Sequence, residues 1–345
     1  MASSSIRAGY WRSSEFDSLP PCDIKFSVFT HLFYASLKVD PSSFELIVTD
    51  DDERMLPAFI AAAHGQSPGV KALISIGGDP SIFADLADDP ANRKAFIVST
   101  IGVAKKFGLD GFDLDWEFPN TKKEMDNLGL LVTDWRNSMG KVLTLTAAVW
   151  FKPKVGPKDK PLHQYPVTNM VNALNWINVM AYDLPGSDYS KATMLHAALH
   201  DPTGNGVSAE EGVVEWMTAG MPAAKIVLGM PLYARTWLLT DLKLHEVGAP
   251  TKGFGPGPTP PGELSYSKVV QFNRNNNAIA VHDEAWGEAY SYAGTTWLGY
   301  DDEWTVVRKV EYARSKKIAG YFFWPIDKDD AAWNVTTTAS NAWMN

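Results

Sequence analysis

The sequence predicts an α/β fold, a single (β/α)8 TIM barrel with a small α+β subdomain inserted between its seventh and eighth strands. Eight short apolar runs alternate with helical patterns along the 345 residues, and this alternation indicates a parallel sheet. Eight repeats in one chain favour a closed barrel over an open sheet. No Gly-x-Gly-x-x-Gly follows the first run, which also argues against a Rossmann sheet.

The predicted strands are the eight apolar runs, each of a length typical of a buried strand. Alternation with helices distinguishes them from isolated buried helix segments. In chain order they are Ile6–Trp11, His31–Leu37, Ala72–Ile76, Gly111–Glu117, Leu143–Val149, Ile177–Ala181, Ile226–Met230 and Gly320–Trp324.

Helical patterns separate these strands. The clearest one begins after Asp89-Pro90 and ends at Gly108, and both ends carry the residue types that cap helices. Others run through Glu124 to Trp135, Glu210–Ala219 and Thr305–Lys316.

The regular spacing breaks once, between the seventh and eighth strands. The gap holds a Gly/Pro-rich loop at Gly253–Gly262, a short helical stretch at Ser265–Arg274, and strand-like runs at Ala278–Val281 and Glu288–Tyr292. We interpret residues 235–302 as an inserted α+β subdomain on a βα loop, within one barrel domain spanning residues 1–345.

Composition excludes several classes of function. A net charge of -9 and a pI of about 5.3 disfavour nucleic acid and anionic membranes as partners, because both reward a basic surface. The single cysteine, Cys22, excludes an intrachain disulfide and a thiolate metal cluster. His196 and His200 lack the His-Glu-x-x-His pattern of a zinc helix, so we expect no metal.

The targeting signals are few. No stretch of 18 apolar residues is present, so we expect no membrane partner, and we expect a monomer. The N-terminus, Met1–Ser5, lacks an apolar h-region. The expected location is extracellular or vacuolar if a signal peptide has been removed, and cytoplasmic otherwise.

The fourth predicted strand carries an unusual run of acids. Successive side chains of a strand point to opposite faces, so its apolar and acidic residues separate. Phe112, Leu114 and Trp116 then face the helices outside the barrel, and Asp113, Asp115 and Glu117 face the interior, while Asp110 is out of phase at the strand entry.

Three carboxylates inside a barrel point to catalysis. Each desolvated charge costs several kcal/mol unless it is paired or protonated, and mutual repulsion raises at least one pKa. A carboxyl group kept neutral near pH 7 is what general-acid chemistry requires. Glu117 lies at the carboxyl end of its strand, where barrel active sites are built. A solvated edge would not interleave apolar residues so strictly, and a calcium loop needs a turn.

The acidic run matches Asp-x-x-Asp-x-Asp-x-Glu, the signature of glycoside hydrolase family 18, at every acidic position. Four further segments resemble motifs of that family, in the same order along the chain. The whole arrangement is closest to the plant class V chitinases. The four segments are Ser75–Gly78, Met180–Asp183, Gly229–Tyr233 with Arg235 and Trp237, and Gly320–Trp324.

The resemblance implies retaining hydrolysis of β-1,4-linked N-acetylglucosamine in chitin or chito-oligosaccharides, with no cofactor. Glu117 would protonate the leaving glycosidic oxygen, while the substrate's own 2-acetamido oxygen attacks C1. Asp115 would hydrogen-bond the acetamido N–H and stabilise the resulting cation. Asp113 would share a proton or hydrogen bond with Asp115.

The same resemblance supplies the remaining site residues. Tyr182 and Asp183 would orient the acetamido group, and Trp324 would form the floor under the distorted sugar. Further substrate-contacting candidates are Met180, Tyr233, Arg235, Trp297 and Tyr10. Trp11, Trp150 and Trp237 are additional sugar-stacking candidates because aromatic faces suit pyranose rings. Ser75, Gly77, Gly78 and Asp110 are expected to be structural.

Three other functions stay open. A lectin could keep the barrel without catalysis, but such proteins typically lose the acid at position 117. A hydrolase or transglycosylase could act on modified, for example lipid-decorated, chito-oligosaccharides. An aldolase would need a Schiff-base lysine at a strand end, and none stands out. Taken singly, Trp324, Tyr182 and Asp183 also fit core or turn positions.

Overall fold

The computed structural model describes residues 5–156, 162–185, 191–257 and 262–345. Its strands and helices alternate through the first part of the chain and are joined there by short connections. In chain order they are β1 Ile6–Arg12, β2 His31–Val39, β3 Leu46–Ile47, α1 Asp50–His64, β4 Lys71–Gly77, α2 Pro80–Asp88, α3 Pro90–Phe107, β5 Gly111–Asp115, α4 Lys122–Met139, β6 Thr144–Trp150, β7 Lys154–Val155, β8 His163–Gln164, α5 Val167–Ala173 and β9 Trp176–Met180.

The second half contains the remaining elements. They include the last two barrel strands and a set of antiparallel strands between them. These elements are α6 Ala209–Thr218, β10 Ile226–Pro231, β11 Tyr233–Leu239, β12 Thr251–Phe254, β13 Glu263–Ser265, α7 Tyr266–Asn275, β14 Ile279–Asp283, β15 Glu288–Ala293, β16 Thr296–Tyr300, α8 Glu303–Ser315, β17 Gly320–Trp324 and α9 Asn334–Met344.

Eight strands close the predicted parallel barrel. Their order is β1-β17-β10-β9-β6-β5-β4-β2, and β1 also pairs with β2, so the sheet has no free edge along this path. The short β3 adds to β2 in an antiparallel pair. Each barrel strand therefore lies beside the strands that precede and follow it among the eight, as a (β/α)8 fold requires.

All eight predicted strands are present, with ends that differ from the prediction by at most two residues, and the difference that affects the site is at the end of the fourth strand. The fourth strand was expected to extend over Gly111–Glu117, but β5 ends at Asp115. Its neighbour β4 ends at Gly77, which pairs with Asp115. Beyond Asp115, β4 therefore offers no residue with which β5 could pair. Glu117 therefore follows the strand and does not lie within it.

The helices begin and end where their capping residues place them. Asp89 accepts a hydrogen bond from the amide of Ala91, and Gly108 ends α3 in the left-handed conformation at φ 74°. α4 begins with a capping box between Thr121 and Glu124. The last predicted helix, Thr305–Lys316, begins two residues earlier, because Asp302 is the residue that caps α8.

By its internal contacts the chain divides into two compact units. The first comprises Met1–Met180, Val213–Leu228 and Lys317–Phe322, and the second comprises Ala181–Gly212, Gly229–Lys316 and Phe323–Asn345. The second unit contains an antiparallel sheet of order β12-β11-β16-β15-β14, with β13 paired to β11, together with α7. This is the predicted α+β content, while the limits 235–302 stay a prediction. Residues 258–261 of the predicted Gly253–Gly262 loop lie outside the described residues.

Two kinds of feature are absent from the described residues. Within them, no helix combines the length and apolar character needed to cross a bilayer. The same ranges contain no group of three or more His, Cys, Asp or Glu side chains arranged to hold a metal ion.

Gly111 lies where the barrel strands β5 and β6 approach one another closely. A Cβ at this position would lie 2.1 Å from the carbonyl oxygen of Thr144, so β5 and β6 would have to separate. We expect Gly111→Ala to lower the free energy of unfolding by about 1–3 kcal/mol or more, measured by urea denaturation. The control is Gly102→Ala in α3, where no described atom lies within 4 Å of the new Cβ. That variant should gain up to about 1 kcal/mol, and equal losses in both variants would contradict the prediction.

Candidate active site

Asp113 lies fully buried in the barrel and accepts four side-chain hydrogen bonds. Tyr10 Oη donates to Oδ2 at 2.8 Å, and Ser75 Oγ donates to the same oxygen at 3.1 Å. Thr146 Oγ1 donates to Oδ1 at 2.6 Å, and Asn178 Nδ2 donates to it at 3.1 Å. The carboxylate is thus satisfied by neutral donors from four different strands.

Strand register explains why these groups meet. Ser75, Asp113 and Thr146 are direct partners across three adjacent parallel strands, so their side chains share one level of the barrel. Asn178 also donates to Tyr10 Oη at 2.9 Å, which links the first and sixth barrel strands through this layer. We call these five residues the polar layer.

The electrostatics of Asp113 are a balance between burial and hydrogen bonding. Burial raises the pKa of this carboxyl group, and the bonds from Thr146, Tyr10, Ser75 and Asn178 oppose that rise. The pKa remains above the usual aspartate value.

Tyr10 has a different position from the one the sequence predicts. Tyr10 was expected to contact substrate, but the side chain is only 3% exposed and its hydroxyl faces Asp113. Its ring stacks on Phe33 at 4.4 Å between centroids. Tyr10 therefore supports Asp113 and offers no open face to a sugar.

Asp115 and Glu117 form a coupled pair beyond this layer. Burial raises the pKa of Asp115 well above its ordinary value, and the nearby charges of Glu117 and Asp113 and a hydrogen bond to Glu117 raise it further. The raised pKa of Asp115 favours a proton shared within this pair. Within the described parts of the chain, Oδ1 of Asp115 is buried without a hydrogen-bond partner. Glu117 itself is exposed to solvent.

Gly77 gives the Asp115 side chain its space. A Cβ on Gly77 would lie 3.2 Å from Oδ2 of Asp115, which is tighter than ordinary contact. Gly78 follows with φ 141°, a conformation that side chains rarely adopt.

On the acidic strand the predicted separation of faces is seen up to Asp115, where β5 ends. Phe112, Leu114 and Trp116 are all buried. Trp116 stacks near Phe83 of α2, with 6.0 Å between ring centroids. The apolar face thus packs against the helix layer and fixes the opposite face towards the barrel interior.

Asp110 lies at the strand entry, away from these acids. It accepts hydrogen bonds from Lys71 Nζ at 2.7 Å and from the Ala72 amide at 2.9 Å, and it contacts His64 Nε2 at 2.7 Å. Partial burial alone would raise the pKa of Asp110, but these partners lower it overall. The side chain ties β4 to the start of β5, so its role is structural.

A second polar cluster lies in the second unit, around Asp183. Arg235 forms a bidentate ion pair with it, Nε to Oδ1 at 2.6 Å and Nη2 to Oδ2 at 2.7 Å. Tyr233 Oη donates to Oδ2 at 2.7 Å. His196 Nδ1 lies 3.3 Å from Oδ1. We call these four residues the Asp183 cluster.

Charge pairing dominates this cluster. Burial opposes ionisation of Asp183, yet the bonds from His196 and Arg235 lower its pKa below the ordinary value. Burial likewise opposes the charge on Arg235, and Asp183 raises the pKa of that guanidinium. Burial and the Asp183 charge raise the pKa of Tyr233 well above its ordinary value, so its hydroxyl stays protonated.

Two of the other predicted substrate residues, Met180 and Tyr182, lie near these clusters along the chain. Met180 is the last residue of β9, and Tyr182 follows it with 9% exposure. The Tyr182 ring meets Tyr233 edge-on at 6.3 Å. Trp324, the last residue of β17, keeps part of its surface exposed.

The tryptophan candidates divide sharply. Trp11, Trp237 and Trp297 have no exposed surface, so predicting them as sugar-stacking residues is wrong. Trp297 packs against Trp237 and Tyr290 in the core of the second unit. A large aromatic surface is as useful to a core as to a binding site, and the sequence does not distinguish them. Trp150 is partly exposed and meets Phe118, the residue after Glu117, edge-on at 5.0 Å.

The sequence prediction missed three residues of these clusters. Thr146 and Asn178 are polar residues within otherwise apolar strands, which is a signal that could have revealed the polar layer. His196 was considered only as half of a metal pair with His200. Its contact with Asp183 depends on a loop conformation that no periodic pattern indicates.

Comparison with known proteins agrees with this arrangement. The family described as "Glycosyl hydrolases family 18" matches residues 6–329. Nod factor hydrolase protein 1 of Medicago truncatula is 40% identical over 353 residues, 98% of this chain and 90% of that protein. A class V chitinase mutant from Nicotiana tobaccum, solved in complex with NAG4, has a TM-score of 0.91 and 34% identity, covering 98% of this chain and 99% of that one. The chitinase-like agglutinin from Robinia pseudoacacia has a TM-score of 0.87 and 34% identity, covering 97% and 99%.

The Asp183–Arg235 pair predicts a pH-dependent stability. Since the folded-state pKa of Asp183 is lowered, the pair contributes fully above the ordinary aspartate pKa of about 3.9 and is lost as the pH falls through the folded-state value. We expect wild type to be more stable than Asp183→Asn near neutral pH, with a gap that shrinks below about pH 4. The side chain is 38% exposed, so solvent screening keeps the gap modest.

Denaturant unfolding at successive pH values measures this gap. The control is Asp126→Asn, which removes the exposed pair between Asp126 and Lys122 on α4 and should change stability little at any pH. A gap for Asp183→Asn that widened on acidification would refute the assignment.

Proposed function

This chain belongs to glycosyl hydrolases family 18, and we propose from that membership that it is a chitinase acting by retaining, substrate-assisted hydrolysis of β-1,4-linked N-acetylglucosamine chains. The observation that carries the proposal is the Asp115–Glu117 pair at the carboxyl end of β5, in which burial and the neighbouring carboxyl groups raise the pKa of Asp115 and so favour a shared proton. A proton held at neutral pH is what cleavage of a glycosidic bond needs from a general acid.

The first step transfers that proton. Glu117 gives it to the glycosidic oxygen as the bond from that oxygen to C1 breaks. The acetamido oxygen of the same sugar attacks C1 and forms a cyclic oxazolinium ion, so no enzyme nucleophile is required. Glu117, now ionised, accepts a proton from the water that opens this ring, which restores the acid and retains the configuration at C1.

Asp115 stabilises the cation during these steps. When the proton has left the pair, the carboxylate is negative and lies beside the developing positive charge. Its Oδ1, which bonds no described residue, is an acceptor suited to the acetamido N–H. Asp113 contributes its charge, which is one of the causes that raise the pKa of Asp115.

The residues expected to hold substrate remain part of the proposal. Tyr182 and Asp183 orient the acetamido group, Trp324 stacks under the sugar, and Met180 packs beside it. Tyr233 and Arg235 act with Asp183, since both bond its carboxylate. We expect a monomer that binds chitin or chito-oligosaccharide and uses neither metal nor organic cofactor.

Two other functions are related to this one. A lectin-like function is the alternative that the Robinia agglutinin represents, because that protein has the same fold. The Glu117 and Asp115 carboxyl groups disfavour it, since binding alone does not need an interacting pair of carboxyl groups with a raised pKa. The Medicago relative is named a Nod factor hydrolase. Modified chito-oligosaccharides are therefore a second candidate class of substrate.

The general acid is tested by Glu117→Gln. Glutamine keeps the size of the side chain but cannot give up a proton, so hydrolysis of N-acetylglucosamine oligomers should fall by about three orders of magnitude or more. Turnover is measured by the release of reducing ends, and the configuration of the first product by NMR. Glu311→Gln, on the exposed face of α8, is the matched control and should retain full activity. Binding of the oligomer by both wild type and Glu117→Gln without turnover would establish the lectin instead.

Substrate assistance is tested with the substrate itself. Fully deacetylated oligomers lack the carbonyl oxygen that attacks C1, so we expect no detectable hydrolysis of them. Acetylated oligomers of the same length are the control for chain binding. Hydrolysis of both at similar rates would mean that an enzyme carboxylate is the nucleophile, and the scheme above would be wrong.

A further inference from the structure

We propose that His196 is a positioning residue that holds Asp183 in the orientation in which it meets Arg235 and Tyr233. The inference rests on the proposed function to the extent that Asp183 orients the substrate. The sequence indicates no role for His196. His200, four residues later, does not share its contacts: His200 contacts Glu210, with 2.8 Å between Nδ1 and Oε2.

The His196 ring is fully buried and contacts Asp183 on one side and Tyr233 on the other. Nε2 donates to the carbonyl oxygen of Tyr233 at 3.2 Å. Nδ1 lies 3.3 Å from Oδ1 of Asp183 and 3.4 Å from its backbone nitrogen. A neutral ring protonated at Nε2 accepts from the Asp183 amide, and a protonated ring donates to the carboxylate. In either state Nδ1 is bound to Asp183.

The backbone around Asp183 needs such support. Asp183 has φ 50°, in the left-handed region that non-glycine residues rarely occupy. The amide of Leu184 donates to the carbonyl oxygen of His196 at 2.9 Å. His196 thus contacts this turn twice, once through its ring and once through its main chain, and both contacts favour the strained conformation.

The residue after His196, Ala197, is held through its main chain by buried ionisable side chains. The amide of Ala197 donates to Oε2 of Glu288 at 2.9 Å, and its carbonyl oxygen accepts from Nζ of Lys309 at 2.5 Å. Lys309 is also paired with Asp301, and all three charged side chains are at most 1% exposed. Buried ion pairs add little to stability, but they fix the groups they bond in one place. The main chain at 196–197 is therefore well placed to act as a rigid support.

Three substitutions separate positioning from simple packing. The amide of asparagine occupies roughly the position of Nδ1, and that of glutamine roughly the position of Nε2. His196→Asn therefore keeps the contact with Asp183, and His196→Gln keeps only the bond to Tyr233. His196→Ala removes both.

The readout is kcat/KM for hydrolysis of an N-acetylglucosamine oligomer, with folding checked by circular dichroism and thermal unfolding. We expect His196→Ala and His196→Gln to lose about 10- to 100-fold, and His196→Asn to stay within about threefold of wild type. If His196 only fills space or holds Tyr233, His196→Gln should be at least as active as His196→Asn. That ranking would overturn the proposal. Wild-type activity in all three variants would also overturn it.

A second measurement does not depend on turnover or on the folding of the His196 variants. In protein with ¹⁵N-labelled histidine, the Nδ1 resonance of His196 should shift strongly in Asp183→Asn, while the other six histidines serve as internal controls. An unchanged resonance refutes the positioning role even in an active enzyme. If wild type binds oligomer but does not hydrolyse it, the proposed function fails. The three His196 variants are then ranked by Kd, with the same order expected.

Discussion

The architecture of the site depends on one buried carboxylate, that of Asp113. Its four donors come from four barrel strands, so the ring of strands must be closed and in register before the charge is satisfied. An unsatisfied carboxylate at that depth would cost several kcal/mol, whereas the filled set of donors makes the charge tolerable. The raised pKa of Asp115 follows from it in part, because the charge of Asp113 adds to the effects of burial and of Glu117.

In the Asp183 cluster a partly buried carboxylate is stabilised by a charged partner, Arg235. Asp113 is held by neutral groups and keeps a raised pKa, while Asp183 is held by a guanidinium and keeps a lowered one. The pKa values of the two aspartates thus shift in opposite directions, because one has neutral and the other has charged neighbours. Asp113 contributes to the raised pKa of Asp115, and Asp183 stays ionised near neutral pH as an acceptor for hydrogen bonds.

Most of the barrel could be predicted from the sequence, because apolar runs and capping residues are local signals. The alternation of Phe112, Leu114 and Trp116 with the three acids was sufficient to orient β5. Information that depends on tertiary structure was not accessible in this way. The burial of Trp297, the contact of Tyr10 with Asp113, and the loop that brings His196 to Asp183 all depend on which distant residues come together. The end of β5 at Asp115 likewise depends on the length of its neighbour.

The glycine at position 77 affects how relatives with this fold can lose catalytic activity during evolution. Its missing side chain leaves room beside Oδ2 of Asp115, and a single methyl group there would press on that oxygen. A substitution to alanine would leave every acid of the motif intact while restricting Asp115, the carboxyl group that we propose meets both Glu117 and the sugar. A relative could therefore lose turnover and keep carbohydrate recognition through a position that carries no chemistry of its own, and its acidic motif would give no sign of the change.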